Sequence, residues 1–189
     1  MAPNWLATNE APGTIVNWSF WYKSPSGQPA CTPNIIPSVE SAIKNAHDAG
    51  ILIVVIAGND TCSADDYTPS RIPEAFTVGA TTNGSSSTDI RSFFTRTGYS
   101  ISTFAPGENV PVIDKNGNQS VASGTSIAAP LIAGVMAVAC EASGTACNSG
   151  DTASLYNAFR ATGTMGTVTE LFGGGPVSGS TSRFIWQQW

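Results

Sequence analysis

The chain has 189 residues, of which 41% are hydrophobic and 11% charged, with 19 glycines and 12 prolines. That composition suits one compact domain with many loops, or most of one, and leaves enough apolar residues for a sizeable core. The net charge of −5 comes from scattered acids rather than runs, which excludes the basic footprint of a nucleic-acid or anionic-membrane partner.

Met1-Ala2-Pro3-Asn4 lacks the basic start and apolar region of a secretion signal, so either a leader has been removed or the chain is part of a longer one. "TIVNWSF" (residues 14–20) follows a Pro-Gly turn and is β-branched and aromatic, which predicts a strand. Residues 21–37 read as loop. In residues 37–49, Val39, Ala42, Ile43 and Ala46 recur at helical spacing, with Pro37 or Ser38 near the start and Gly50 as the terminator. "ILIVVIA" (residues 51–57) is apolar without alternation, as in a parallel strand covered on both faces. Strand, helix and strand make a βαβ unit.

Residues 75–81 and 100–107 predict two further strands, the second ending in a turn. Residues 125–142 are apolar almost all round and predict a buried helix. No stretch reaches the roughly 18 to 20 residues of a bilayer span without Gly, Pro or polar interruption, so no membrane association is expected. Residues 151–161 predict a final helix with Asp151 as N-cap and Gly163 past its end. The tail "GGGPVSGSTSRFIWQQW" is a glycine-rich lead into an aromatic, strand-like end expected to pack on the body. Neither a repeat nor a domain boundary stands out, so residues 1–189 are read as a single domain.

The four cysteines, Cys31, Cys62, Cys140 and Cys147, have no Cys-x-x-Cys spacing and no companion histidines, which argues against zinc and permits disulfides. Three pairings are possible. The short span from Cys140 to Cys147 favours that pair, with Cys31 and Cys62 as the remainder. Formal glycosylation sequons begin at Asn17, Asn59, Asn83 and Asn118. Such three-residue patterns recur by chance, yet with few charges and many Ser and Thr they lean toward an extracellular origin.

The chemistry centres on "VASGTSIAAPLIAGVMAVA" (residues 121–139), which sets Ser126 just inside a helix N-terminus. Unpaired N–H groups and the helix dipole there favour negative charge, as an attacking serine and its oxyanion require. An arbitrary "GTS" at that place more often only caps the helix, through Thr125 or Ser126. The second feature is "VVIAGND", which ends a buried strand with Asn59, whose amide could donate to an oxyanion.

Together these segments resemble the subtilisin-like serine peptidases, in particular the proteinase K-like branch. "IVNWSF" is similar to the strand leading to the substrate cleft, and "GILIVVIAGND" to the strand delivering the oxyanion asparagine. "YTPSRIPEAFTVGATT" is similar to the loop and strand beside the primary specificity pocket, and "FAPG" with "SGTSIAAPLIAGVMA" to the nucleophile block. The resemblance covers about residues 14–142. It implies an α/β fold with a mostly parallel sheet flanked by helices, lacking its N-terminal part. It also implies a secreted serine endopeptidase in which Ser126 is the nucleophile and Asn59 with the Ser126 N–H forms the oxyanion hole. Ser19, Gly58, Gly124 and Thr125 are then substrate-binding positions, and the substrate is a peptide or protein.

In that family the catalytic Asp and His lie well upstream of the cleft strand, where this sequence has only some fourteen residues. His47, the only histidine, is expected to be partly exposed near a helix C-terminus and far from Ser126. Lys115 lies in "DKNGN", a solvated turn, and Asp60, Asp65 and Asp66 read as loop acids. No triad assembles from these residues, so the chain alone is expected to be inactive, with an N-terminal portion or partner chain completing the fold. Loss of the N-terminal strands would leave an uncovered apolar sheet edge near residues 14–20 or 51–57.

Three departures bear on the site. Phe20, Trp21 and Tyr22 follow Ser19 where the family has small residues and glycines. Leu131 stands where the family commonly has a non-triad histidine. Ser102 and Thr103 stand where a common calcium site near "IPEA" takes a carboxylate, so that calcium is expected to be lost and no cofactor is needed. The alternative readings are a non-catalytic subtilase relative acting as a binding or structural module, and a sedolisin-like serine-carboxyl peptidase. The latter also uses an "SGTS" block but fits "IAGND" and "FAPG" less well.

Overall fold

The computed structural model describes residues 2–82, 89–143, 147, 150–162 and 168–169. Gly163, the Asn83 sequon and the tail from residue 173 lie outside the described residues. In chain order the elements are α1 (Ala2–Asn9), β1 (Ile15–Trp18), α2 (Pro37–Asp48), β2 (Leu52–Ile56), β3 (Phe76–Thr82), β4 (Asp89–Arg91), β5 (Ile101–Pro106), β6 (Val110–Ile113), β7 (Gln119–Ala122), α3 (Thr125–Ser143), α4 (Thr152–Thr162) and β8 (Val168–Thr169).

The main sheet runs β1-β2-β3-β4-β8, with β5 also paired to β3. β1, β2, β3 and β5 are parallel, whereas β4 runs antiparallel to β3. β6 and β7 form a separate antiparallel hairpin. This is the α/β architecture with a mostly parallel sheet that the strand and helix order predicts.

All five residues of β2 are fully buried. Leu52, Val54 and Ile56 enter one core with Phe76, Val78 and residues of α3 and α4. Ile53 and Val55 point the other way, into a core with Ile43 and Ala46 of α2. Burial on both faces is why the run is continuously apolar rather than alternating. Each such side chain contributes about 1.5–3 kcal/mol.

The two disulfides are Cys31–Cys62 and Cys140–Cys147, with Cα separations of 5.3 and 5.4 Å. They are the pairs that the short Cys140 to Cys147 span favours. Asp151 caps α4 as expected, its Oδ1 accepting from Ser154 N at 3.0 Å. At the start of α2 the N-cap is Ile36, which makes no side-chain cap bond, and Pro37 takes the first turn, where its missing N–H costs nothing.

The helix α3 departs from expectation. Thr125, Ala128, Ala129, Ile132 and Met136 are buried, but Leu131 and Val138 are 44% and 43% exposed. Its apolar circumference is therefore covered on one side only. By length and composition alone it could cross a membrane, because Pro130 and Gly134 interrupt the sequence without ending the helix. The sheet edge is open at β1, which pairs with β2 alone among the described residues. β2 itself is interior, so the expected edge falls at residues 15–18 rather than 51–57.

Sequence patterning does not identify α1, β4, β8 or the β6–β7 hairpin. α1 is a polar, weakly amphipathic stretch that packs on α2, with Ala7 against the core there. β6 contains Pro111, and β7 is largely exposed without alternation.

Candidate active site

Two chain reversals at the C-terminal ends of the strands build the site. After β2 the chain turns at Gly58, φ +111°, where a Cβ would lie 2.7 Å from Cδ and Nε of Arg96. Only glycine fits that turn, which delivers Asn59. Before α3 lies Gly124, φ +151°, where a Cβ would lie 3.0 Å from Ser126 Oγ and 3.3 Å from Asn59 Nδ2. The serine hydroxyl and the asparagine amide thus border one small space that glycine keeps open.

A buried threonine fixes the asparagine. Thr125 N and Thr125 Oγ1 donate to Asn59 Oδ1 at 2.9 and 2.8 Å. The same Oγ1 accepts from Gly58 N at 3.3 Å. With both donors on Oδ1, the amide orientation is set and Nδ2 is left without a partner among the described residues. Ser126 N–H and Ser126 Oγ likewise bond no described residue, while Ile127 N closes the first turn on Gly124 O at 3.0 Å. Neither hydroxyl caps the helix, so the capping alternative does not account for "GTS". Two free donors, Ser126 N–H and Asn59 Nδ2, converge beside a free hydroxyl, an arrangement able to hold an oxyanion formed by attack of that hydroxyl.

Ser19, beyond the end of β1, is tied to the same corner by Pro130. Within α3, residue 130 would ordinarily bond the carbonyl of Ser126, but proline has no N–H to give. Ser19 Oγ donates to that freed carbonyl at 3.2 Å and accepts from Asn17 Nδ2 at 3.0 Å. The cleft strand and the serine helix are therefore joined through a carbonyl that the proline releases.

Of the residues after Ser19, Phe20 is 55% exposed and packs edge-on against Tyr22 with ring centroids 5.2 Å apart. Trp21 folds inward against the core. Beneath it lies Arg96, fully buried, with its guanidinium 4.8 Å from the Trp21 ring centroid and 3.4 Å from that of Tyr67. Asp60 pairs with it twice, Nε to Oδ1 at 2.5 Å and Nη2 to Oδ2 at 2.7 Å. Asp60 is thus an ion-pair partner, not a free loop acid. Arg96 escapes sequence reasoning because "FFTRTG" carries no local pattern, and its partners lie 36 and 74 positions away.

The other candidates stand apart from this corner. His47, its side chain 13% exposed, sits at the end of α2, before β2, whereas Asn59 follows β2. Its Nε2 meets Thr152 Oγ1 at 2.7 Å and its Nδ1 meets Asp48 at 3.3 Å, so it joins α2 to α4. Lys115 lies exposed between β6 and β7, where Asp114 Oδ1 accepts from the N–H groups of Asn116 and Asn118 at 2.8 and 2.9 Å. Those bonds hold the Asp114 carboxyl below the usual range. Asp65 accepts from Tyr99 N and Ser100 N, and Asp66 lies in a single 3-10 turn, Ala64–Asp66. At the position of the family's calcium carboxylate, Ser102 Oγ accepts from Arg160 Nη2 at 3.0 Å. A neutral hydroxyl already facing a guanidinium is a poor donor for a hard cation. Among the described residues no group of three or more His, Cys, Asp or Glu could hold a metal.

Comparison with known proteins identifies the family and the fold. The profile of the Subtilase family matches residues 9–175. The alkaline serine exoprotease A of Vibrio alginolyticus is 33% identical over 135 residues, covering 71% of this chain and 22% of its own length. An extracellular serine proteinase of Thermus sp. (strain Rt41A) is 34% identical over 137 residues, covering 71% of this chain and 30% of its own. The chain thus spans less than a third of these relatives. The crystal structure of a cold adapted subtilisin-like serine proteinase superposes with a TM-score of 0.79 at 24% identity, over 99% of this chain and 59% of that one, which shows a shared fold.

Proposed function

The chain belongs to the subtilase family, and on that premise we propose that it is the C-terminal portion of a secreted serine endopeptidase of peptide or protein substrates. Ser126 is the nucleophile, and its N–H together with Asn59 Nδ2 is the oxyanion hole. The observation that carries this is the Thr125 lock on Asn59 Oδ1, which aims a free amide donor at the space beside Ser126 Oγ.

In the reaction, Ser126 Oγ attacks the scissile carbonyl carbon and gives its proton to a base. The carbonyl oxygen becomes an oxyanion between the two donors. Its collapse expels the amine, which takes the proton, and water then hydrolyses the acyl-enzyme by the same route. His47 is at the wrong end of β2 for that base. The Asp and His therefore come from an N-terminal portion or partner chain, and this chain alone is inactive. The open β1 edge and the exposed Leu131 and Val138 of α3 support such a completing partner. The guanidinium of Arg160 at Ser102 supports a fold that needs no calcium there. The two disulfides and an extracellular relative support secretion.

The test is labelling with a fluorophosphonate probe, with and without an N-terminal subtilase portion carrying the Asp and His, reading the modified residue by mass spectrometry. Labelling at Ser126 only in its presence is expected. Absence of labelling in both states would favour a non-catalytic relative, a reading that the bulky Phe20, Trp21 and Tyr22 directly after Ser19 also support.

A further inference from the structure

Arg96 lies between the two walls of the candidate cleft. One wall is residues 57–60, leaving β2: a Cβ on Gly58 would meet Arg96 Cδ and Nε at 2.7 Å, and Arg96 N donates to Gly58 O at 3.1 Å. The other is residues 19–22, leaving β1: the guanidinium lies under Trp21 at 4.8 Å, and Nη2 donates to Tyr22 O at 3.2 Å. Tyr67 forms the floor at 3.4 Å. Both walls also touch the reacting corner, through the Ser19 bond to Ser126 O and the Gly58 bond to Thr125. The gap between these walls therefore borders the corner where Ser126 N–H and Asn59 Nδ2 would hold a peptide carbonyl oxygen.

We propose that the side chain of the residue whose carbonyl is held there lies in this gap and that Arg96 is the gap's built-in occupant, so that the folded chain accepts glycine or alanine at the reacting position and excludes aromatic and long apolar residues. The inference rests on the peptide-binding reading above but not on any base. A guanidinium between two rings is a flat group in a sandwich, the packing an aromatic side chain would adopt there. Its tethering is partial. Asp60, 26% exposed, holds one edge, while Nη1 is buried without a hydrogen-bond partner. Removal of the side chain thus leaves a lined slot between Trp21 and Tyr67. Arg96 is a specificity residue on this assignment, not a catalytic one.

The test is an amide-resolved NMR titration of the chain with acetyl-Ala-Ala-Phe amide and acetyl-Ala-Ala-Gly amide, followed at Gly58, Asn59 and Trp21. The unaltered chain is expected to bind the Phe peptide no more tightly than the Gly peptide. Arg96→Ala combined with Asp60→Asn removes the guanidinium without stranding a carboxylate, and is expected to favour the Phe peptide by about tenfold. If that variant fails to fold, Arg96→Asn, which keeps a donor for Asp60, replaces it. A preference for the Phe peptide in the unaltered chain, or no gain in a folded variant, overturns the proposal. Failure of Ser126 to label while the selectivity switch holds would overturn the peptidase reading and leave the slot standing.

Discussion

Thr125→Val tests whether the threonine hydroxyl, rather than the shape of the turn, holds the candidate oxyanion corner together. Valine keeps the volume of this fully buried side chain but removes the acceptor of Gly58 N and one of the two donors to Asn59 Oδ1. Stranding a buried N–H costs about 1–3 kcal/mol, and the second lost bond adds about 0.5–1.5. Part of the second is recovered because Thr125 N still donates to Asn59. The expected loss is thus about 2–3 kcal/mol, a fall in Tm of roughly 4–12 °C for a chain of this size. Thr125→Ser keeps the hydroxyl, deletes one methyl and should cost about 1 kcal/mol. Urea unfolding of the three proteins gives the energies, and hydrogen exchange at the Gly58 amide gives the location. A Val variant as stable as the unaltered chain, or a Gly58 amide with unchanged protection, would refute the reasoning.

Ser19→Ala should cost about 1 kcal/mol in the unaltered chain but little in a Pro130→Ala background, where the helix N–H takes the Ser126 carbonyl; a double-mutant cycle by urea unfolding reads the coupling. The hydroxyl of Tyr156, bonded to Ile53 N and O at 2.6 and 3.0 Å, has its pKa raised by burial. The neutral form is therefore favoured in the folded state. That stabilisation is complete below the ordinary tyrosine pKa of about 10 and is lost as pH rises beyond it toward the folded value. Denaturant midpoints from pH 8 to 11 should fall more steeply for the unaltered chain than for Tyr156→Phe. Removing Cys31–Cys62, which closes a 31-residue separation, should cost roughly 4 kcal/mol, against roughly 2.5 for the 7-residue Cys140–Cys147 span, by unfolding of the paired Ser variants. Leu131→Glu with Val138→Glu should shift the stability of the isolated chain by no more than about 1 kcal/mol, two exposed positions at about 0.5 each, yet abolish labelling of Ser126 by an added N-terminal portion; unchanged labelling would show that this face is not where the portion docks.

The sequence by itself determined the buried parallel strand, since residues 52–56 must be apolar on both faces wherever they pack. It also determined α2, from its helical period. The order of the "IAGND", "FAPG" and "SGTS" blocks further determined the family. The strand and helix are properties of neighbouring residues, and the family of short blocks in a fixed order, so the chain's linear spacing carries them.

What tertiary structure decided lies between distant segments. α3 reads as buried from its composition, yet burial depends on what covers it, and Leu131 and Val138 are uncovered. Pro130 reads as a helix irregularity, and only the approach of β1 turns its missing N–H into a bond with Ser19, 107 positions from the carbonyl it reaches. Arg96 reads as one charge in a polar loop. Its burial between Trp21 and Tyr67, paired to Asp60, exists only because two strand ends meet over Gly58. A charge leaves water when stacking and pairing replace its solvation, and those partners are assembled by the fold, not by the residues on either side.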